Sequence, residues 1–322
     1  MTKSDLRIIY MGTPDFAVES LRMLVERGYN VVAVVTMPDK PAGRGYKIQY
    51  SPVKQYALSV GLPLLQPANL KDEEFLEELR SYRADLQIVV AFRMLPQVVW
   101  DMPPMGTFNL HASLLPQYRG AAPLNWAIIN GDKETGITTF FLKHEIDTGR
   151  VIQRRSTPIS ETDNVGIIHD RLMMMGAEMV CETVDNIIAG NVVAIEQDEL
   201  MTNEPLRPAP KIFKDTCHLD FSRTADELYN HVRGLSPYPA AWCEWVAPDG
   251  TVSSVKIYEA TRRVVSHSLA CGTIVTDGKH SIEIACADGF LSLQSLQLAG
   301  KKRLAVDELL RGFKLTQDFI AR

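Results

Sequence analysis

Cysteine pairs of the kind that bind zinc or build a disulfide scaffold are missing from this 322-residue sequence. Its 5 cysteines are odd in number and scattered, with no Cys-x-x-Cys pair and no histidine at ligand spacing. Small disulfide-bonded domains and structural zinc sites depend on such spacings. We therefore expect free thiols and no metal site.

Long hydrophobic runs are missing as well. No stretch of about 18 apolar residues could span a bilayer, and residues 1–6 contain no apolar signal-peptide core. The hydrophobic share of 46% and the mean hydropathy of -0.06 are ordinary for a globular protein. These features predict a cytoplasmic protein without membrane attachment, and we expect a monomer.

A large positive charge, typical of proteins that wrap nucleic acid, is also absent. The formal net charge is -5. Residues 211–322 carry 14 Lys and Arg against 13 Asp and Glu, a net charge of +1, and residues 1–210 carry 20 against 26, a net charge of -6. The second part is relatively basic, which indicates a nucleic-acid contact only if the charges cluster on one face.

The glycines of a dinucleotide-binding motif are not present either. The apolar run at residues 6–11 ends at Gly12-Thr13-Pro14-Asp15, which lacks the second and third glycines of Gly-x-Gly-x-x-Gly. A helical pattern up to Gly28 and a second Val-rich run at 31–36 follow. This alternation is typical of a parallel sheet covered on both faces. The sequence predicts an α/β domain with a Rossmann-like, mainly parallel sheet and disfavours a nicotinamide cofactor.

Prolines mark the predicted end of this domain. Residues 201–210, MTNEPLRPAP, contain three prolines within six residues and are typical of a linker. About five short β-rich segments follow, separated by Pro-Asp-Gly and Asp-Gly turns, and they predict a small OB-like β-barrel. We expect a catalytic α/β domain at 1–200, the linker at 201–210 and the barrel domain at 211–322.

Chemistry-bearing residues concentrate between Asn109 and Gly120. The predicted strand 107–111 places Asn109 and His111 on the same face, at a strand end where open α/β sheets usually carry function. Asp147 lies in the loop between two later β-rich segments and comes within reach of His111 if those strands are neighbours. An Asn-x-His pair on its own is more often a local hydrogen-bonding feature than a catalytic pair.

Two other residues of this stretch have open roles. Ser113 fits a turn or a phosphate contact better than a nucleophile. Arg119 could hold a carboxylate or phosphate of a ligand, or it could form a structural ion pair.

The connection at residues 36–54, TMPDKPAGRGYKIQYSPVK, contains no evident helix or strand. Its basic residues include Lys40, Arg44, Lys47 and Lys54 against the single acidic Asp39. A loop of this length is usually functional or disordered. Its cations could bind phosphates and its tyrosines could stack on bases, or the loop could simply be solvated. We expect it to be exposed, mobile and able to fold on binding a partner.

Several segments resemble the methionyl-tRNA formyltransferase family, within the wider group of formyl-tetrahydrofolate-dependent transferases. They are MGTPDFAV at 11–18, PDKPAGRG at 38–45, SPVK at 51–54, AF-x-x-LP at 91–96, NLHASLLPQYRGAAPLNWAIINGD at 109–132 and DTG at 147–149. The resemblance covers almost the whole chain. It implies transfer of a formyl group from 10-formyltetrahydrofolate to the α-amino group of methionyl initiator tRNA, for translation initiation.

The resemblance also assigns individual residues. It implies Asn109, His111 and Asp147 as the catalytic group. The implied folate contacts are Phe92, Arg93, Met94, Leu95, Ser113, Leu114, Leu115, Pro116, His144 and Ile146. The implied tRNA contacts are Arg44, Lys40, Lys47, Lys301, Lys302 and Arg303. Residues 92–95 and 143–146 depart from the family's usual sequence, and both segments are expected to line the folate pocket.

Three other functions remain open from the sequence. A formyl-folate enzyme acting on glycinamide ribonucleotide or an amino-sugar nucleotide would use the same site, although the basic loop and the barrel favour tRNA. A non-catalytic RNA-binding module would not need Asn109, His111 or Asp147, and the acidic first part of the chain disfavours it. A Rossmann dehydrogenase is disfavoured by the missing glycines.

Overall fold

The computed structural model describes residues 1–42 and 47–322, which form two compact units. The first unit comprises Met1–Gly120, Gly136–Thr157 and His169–Pro208, and the second comprises Ala121–Thr135, Pro158–Ile168 and Ala209–Arg322. The second unit thus includes two segments that precede the proline-rich stretch at 201–210. Within the described ranges, no helix is both long and apolar enough to cross a membrane.

The secondary structure alternates between strands and helices in the first unit and is mainly β in the second. The strands are β1 (Ile8–Gly12), β2 (Val31–Val35), β3 (Lys40–Ala42), β4 (Lys47–Gln49), β5 (Leu64–Leu65), β6 (Leu86–Val90), β7 (Thr107–His111), β8 (Glu134–Phe141), β9 (Val151–Pro158), β10 (Ala241–Val246), β11 (Val252–Val264), β12 (Ile274–Thr276), β13 (Ile282–Cys286), β14 (Gly289–Leu298), β15 (Leu304–Ala305) and β16 (Ile320–Ala321). The helices are α1 (Val18–Glu26), α2 (Pro52–Ser59), α3 (Glu73–Ser81), α4 (Gln97–Trp100), α5 (Pro123–Ile129), α6 (Val165–Ala189), α7 (Ala225–Leu235) and α8 (Val306–Leu310).

The sheet of the first unit has the strand order β5-β2-β1-β6-β7-β8-β9. The pairs β1 with β2, β1 with β6, β2 with β5 and β6 with β7 are parallel, and β8 runs antiparallel to β7. Every residue of β1 and β6 is buried, as expected for continuous apolar strands covered on both faces. The predicted mainly parallel α/β sheet is confirmed.

The strand order also determines where a ligand can bind. The chain builds outward from β1 through β2 to β5 and then crosses to β6 and β7, so the order reverses between β1 and β6. Ligands of open α/β sheets bind outside the carboxyl ends of the strands at such a switch point. The segment after β6 and the end of β7 lie at this edge, and they contain residues 91–95 and His111.

Part of the long connection at residues 36–54 has regular structure. Strands β3 and β4 pair in antiparallel fashion, and α2 begins at Pro52, where the Ser51 hydroxyl accepts a hydrogen bond from the Lys54 N–H at 3.1 Å. The expectation of a connection without any helix or strand is therefore wrong. Arg44 lies outside the described residues.

The second unit is built on a strongly bent antiparallel sheet with the order β12-β13-β14-β11-β10-β16. A bridge between Thr273, just before β12, and Ile320 of β16 brings the two edges together. Buried and partly buried residues alternate along β10, as the period of a strand requires, and Trp245 lies fully buried in the core. The sheet is a nearly closed antiparallel barrel, and the predicted β-barrel is confirmed.

Acidification should destabilise the second unit through His231 of α7. The ring is buried, and its Nε2 has no hydrogen-bond partner among the described residues. Burial, together with the nearby positive charge of Arg223, lowers the pKa of His231 from 6.5 to about 4. Between these values the unfolded chain binds a proton that the folded chain does not. The free energy of unfolding is therefore not reduced by His231 at a pH above 6.5, its pKa in the unfolded chain. It decreases by up to about 3 kcal/mol as the pH falls to about 4, the pKa of His231 in the folded chain.

Urea unfolding at about pH 7, above this window, and at about pH 4, at its lower end, tests the expectation. Three of the four tryptophans, Trp126, Trp242 and Trp245, lie in the second unit and Trp100 lies in the first, so tryptophan fluorescence reports mainly on the second unit. The His231→Gln variant should lose less stability on acidification than the wild type, whereas the exposed His280→Gln control should lose as much. Equal losses in the wild type and His231→Gln would contradict the assignment.

Candidate active site

Strand β7 presents Asn109 and His111 on one face. The opposite face carries Leu110, which packs so closely on α6 that a Cβ added at Gly176 would lie 2.6 Å from its Cδ2. Because side chains alternate along a strand, Asn109 and His111 point away from α6. Both lie near the carboxyl end of β7, at the edge of the sheet identified above.

The two ring nitrogens of His111 have different surroundings. Nε2 lies 2.9 Å from the Tyr118 carbonyl oxygen, and since a carbonyl oxygen only accepts, Nε2 carries the hydrogen and donates it. Nδ1 faces the Asp147 carboxylate, with 3.9 Å between Nδ1 and Oδ2. That separation is longer than a hydrogen bond. Nδ1 is therefore the ring nitrogen available to exchange a proton with a substrate.

Asp147 reaches the site from the loop between β8 and β9. Its backbone has a φ of 53°, in the left-handed region that Asp tolerates better than most residues. Its Oδ2 accepts the Gly120 N–H at 2.9 Å. The neighbouring antiparallel strands β7 and β8 thus bring Asp147 and His111 together, as the sequence reasoning required.

The Asn109 carboxamide is the third polar group at this edge. It is partly buried and makes no hydrogen bond to another described residue. Polar groups inside folded proteins are normally paired. An unpaired carboxamide beside His111 therefore has both its donors and its acceptor free for a ligand.

Gln197, which no sequence motif marks, joins the Asp147 loop to the 118–120 segment. Its Nε2 donates to the carbonyl oxygens of Asp147 and Gly149, each at 2.8 Å. Its Oε1 accepts from Nε and Nη2 of Arg119, at 3.0 and 2.7 Å. Arg119 thus binds a neutral carboxamide, and no carboxylate in the described part of the chain lies within ion-pairing distance of it. The sequence left its partner open.

The predicted folate segment 92–95 follows β6 after Ala91, which has a positive φ of 46°. Phe92 and Leu95 pack into the apolar cluster under α3 and α4, and Met94 is 72% exposed. Arg93 donates to the carbonyl oxygens of Pro67 and Ala68, and burial lowers the pKa of its guanidinium. Arg93 therefore anchors the segment to the loop after β5, while Met94 faces outward.

Residues 113–116 belong to the loop that follows β7, and most of them are packed into the interior of the first unit. The Ser113 hydroxyl donates to the Gln117 carbonyl oxygen at 2.7 Å, which is a turn contact and no arrangement for a nucleophile. Leu115 is fully buried with Phe140, and Leu114 packs against Gly136. Direct folate contacts by Ser113, Leu114, Leu115 and Pro116 stay predictions, and the complete burial of Ser113 and Leu115 does not favour them. His144 and Ile146, in contrast, are exposed just before Asp147.

The predicted tRNA contacts lie on two separate features. Lys40 and Lys47 belong to the β3–β4 hairpin of the first unit. In the second unit Lys301 and Lys302 are exposed on the turn before β15, and Arg303 is held by an ion pair with Glu259.

Lys54, also counted among the basic residues of the 36–54 connection, is not free. It is buried on α2 and forms an ion pair with Asp39, which lowers the pKa of that carboxyl. A phosphate would have to displace Asp39, so the suggestion that Lys54 binds phosphate is not supported.

Comparison with known proteins identifies relatives along the whole chain. The family model "Formyl transferase" matches residues 6–184, and "Formyl transferase, C-terminal domain" matches residues 211–314. The methionyl-tRNA formyltransferase of Bacteroides fragilis is 66% identical over 319 residues, which cover 99% of this chain and 98% of the relative. That of Flavobacterium johnsoniae is 53% identical over 313 residues, or 97% and 98% of the two chains.

Solved structures show the same fold at low sequence identity. An N-formyltransferase from Helicobacter canadensis, in complex with folinic acid and dTDP-3-aminofucose, has a TM-score of 0.65 at 18% identity, over 93% of this chain and 100% of that chain. HypX from Aquifex aeolicus, in complex with tetrahydrofolic acid, has a TM-score of 0.62 at 19% identity, over 95% of this chain and 47% of that chain. These likenesses support the fold alone.

Proposed function

The chain belongs to the formyl transferase family and, within it, to the methionyl-tRNA formyltransferases, and from this membership we propose its reaction and its catalytic residues. It transfers the formyl group of 10-formyltetrahydrofolate to the free α-amino group of methionine on initiator tRNA, as a step of translation initiation. The observation that carries the proposal is the 66% identity to a methionyl-tRNA formyltransferase over 99% of this chain.

The site geometry fits acyl transfer to an amine. The nucleophile is the neutral amine of the substrate, so the protein has to supply no serine or cysteine nucleophile. The amine nitrogen attacks the formyl carbon, a new carbon–nitrogen bond forms, and the carbonyl oxygen becomes an oxyanion. The unpaired Asn109 carboxamide can donate an N–H to that oxygen as its charge develops.

Two protons must move for the reaction to finish. The attacking nitrogen becomes positively charged and loses a proton, and the folate nitrogen gains one as its bond to the formyl carbon breaks. His111 Nδ1 and the Asp147 carboxylate lie 3.9 Å apart, so an acid and a base stand next to each other at the same site. Asp147 receives the amine proton, directly or through water, and protonated Nδ1 supplies the proton to the leaving nitrogen.

The hydrogen bond to the Tyr118 carbonyl oxygen fixes this division of roles. With Nε2–H already donating to that carbonyl, a second hydrogen on Nδ1 gives the imidazolium. The Asp147 carboxylate opposite stabilises this positive charge. The His111 ring can therefore donate a proton from Nδ1 without flipping its orientation.

Folate and tRNA contacts complete the proposal. The exposed side chains of Met94, His144 and Ile146, at the edge of the sheet that carries His111, are proposed to contact folate. Arg44 with Lys40 and Lys47 is proposed to contact tRNA, and Lys301 and Lys302 offer further free cations on the second unit. We propose that the protein acts as a monomer.

Transfer of a radiolabelled formyl group to alternative acceptors tests the function. Methionyl initiator tRNA, glycinamide ribonucleotide and an amino-sugar nucleotide are each supplied with 10-formyltetrahydrofolate at equal concentration. We expect transfer to the tRNA and rates at least about 10²-fold lower with the other two acceptors. Comparable transfer to the amino-sugar nucleotide would overturn the proposed acceptor, and no transfer to any of the three would overturn the activity.

A further inference from the structure

Gln197 occupies an unusual position for a glutamine, because its whole carboxamide is used. The residue is 2% exposed and begins the short helix Gln197–Leu200. Its two N–H groups donate to the Asp147 and Gly149 carbonyl oxygens, and its oxygen accepts both hydrogen bonds from Arg119. A primary amide has two donor hydrogens and two acceptor lone pairs, so none is left over.

The loop that contains Asp147 and Gly149, to which Gln197 is hydrogen-bonded, needs contacts from outside the loop to stabilise its conformation. Asp147 sits at a φ of 53°, a conformation that costs free energy and persists only when the surroundings impose it. Gly149 lies so close to β8 that an added Cβ would be 1.6 Å from the Phe141 carbonyl oxygen. The hydrogen bonds from Gln197 engage the backbone on both sides of Thr148, which determines where the Asp147 side chain starts.

The tripeptide Tyr118-Arg119-Gly120 is the other half of the arrangement. The Tyr118 carbonyl oxygen accepts from His111, the Gly120 N–H donates to the Asp147 carboxylate, and Arg119 between them binds Gln197. Three consecutive residues thus connect to the His111 and Asp147 side chains. The side chains of Arg119 and Gln197 add a second link between this tripeptide and the Asp147 loop.

We propose that Gln197 and Arg119 are positioning residues for formyl transfer, which hold the Asp147 carboxylate opposite His111 Nδ1; the inference rests on the proposed function. Neither residue touches the reacting atoms. Gln197 acts on the backbone of the Asp147 loop, and Arg119 fixes the orientation of the Gln197 carboxamide. A displacement of about 1 Å at a reacting group can lower a rate about 10²-fold, so losing this link should affect turnover more than binding.

Two substitutions at position 197 separate positioning from simple packing. Gln197→Met keeps the length and removes every hydrogen bond. Gln197→Glu keeps the shape and the contact with Arg119, but it sets carboxylate oxygens against the Asp147 and Gly149 carbonyls. We expect both variants to lower kcat about 10²-fold, with KM for tRNA and for folate within about twofold of the wild type. Gln87→Met, at an equally buried glutamine of β6, is the matched control and should leave kcat within about twofold.

A double-mutant cycle with Asp147→Asn gives the decisive measurement. If Gln197 acts through Asp147, Gln197→Met should cause little further loss of kcat/KM in the Asp147→Asn background. Losses that multiply fully, or wild-type turnover by Gln197→Glu, would overturn the inference. Thermal melting of each variant shows whether it is folded. If Gln197→Met does not fold, Gln197→Glu replaces it in the same double-mutant cycle with Asp147→Asn.

The two proposals can fail separately in this cycle. If Asp147→Asn alone retains full formyl transfer, the catalytic assignment of Asp147 in the proposed function is wrong. If Asp147→Asn is impaired while Gln197→Glu is not, the catalytic assignment stands and only the positioning role is wrong. Arg119→Lys should cause an intermediate loss of kcat, because a lysine keeps the positive charge but cannot make both hydrogen bonds to the Gln197 oxygen.

Discussion

The Asp147→Asn variant is expected to transfer formyl groups about 10²–10⁴-fold more slowly than the wild type, the range that a positioned general acid or base contributes. Asparagine keeps the shape of the side chain, and its oxygen can still accept the Gly120 N–H. It also tolerates the positive φ at this position, where alanine would be strained. The substitution therefore removes the negative charge opposite His111 and little else.

Single-turnover rates with saturating folate and tRNA measure this effect apart from substrate binding. Thermal melting should show an unfolding midpoint close to that of the wild type, because no buried partner loses its hydrogen bond. The exposed carboxylate of Asp198, next to Gln197 in the sequence, offers a matched control, and Asp198→Asn should keep the wild-type rate. Full activity in a folded Asp147→Asn protein is the result that the proposed proton transfer cannot accommodate.

The Asn109→Ala variant is expected to lose about 10²–10³-fold in kcat, the usual effect of removing one donor to a developing oxyanion. Stability should hardly change, because the Asn109 carboxamide has no hydrogen-bond partner among the described residues that truncation would leave unpaired. The combination of a large rate effect with an unchanged melting temperature is typical of a group that acts only on the transition state.

Asn109→Asp sharpens this test, because it keeps the shape and replaces the donor by a carboxylate facing the oxyanion. We expect it to be at least as slow as Asn109→Ala. Asn191→Ala, at an exposed asparagine after α6, is the control and should keep both rate and stability. If Asn109→Ala raises KM with an unchanged kcat, the carboxamide binds the substrate uniformly and does not stabilise the oxyanion.

Local sequence patterns predicted elements with clear periodicity well. The predicted strand at 107–111 matches β7 residue for residue. The β3–β4 hairpin was missed because it is a short, polar ribbon with proline inside it, and nothing in its pattern alternates between apolar and polar.

The sequence by itself determined the fold class, the family and the strand end on which Asn109 and His111 share a face. These follow from periodicity and motif, which are properties of neighbouring residues.

Tertiary structure alone decided that Lys54 is an ion-pair partner of Asp39, that His111 has only Nδ1 free, and that Gln197 grips the Asp147 loop. Arg119 and Gln197 are 78 residues apart, and Gln197 and Asp147 are 50 apart. Their hydrogen bonds form only once the packed sheet has brought distant loops to one edge, and no local pattern records which distant groups will meet there.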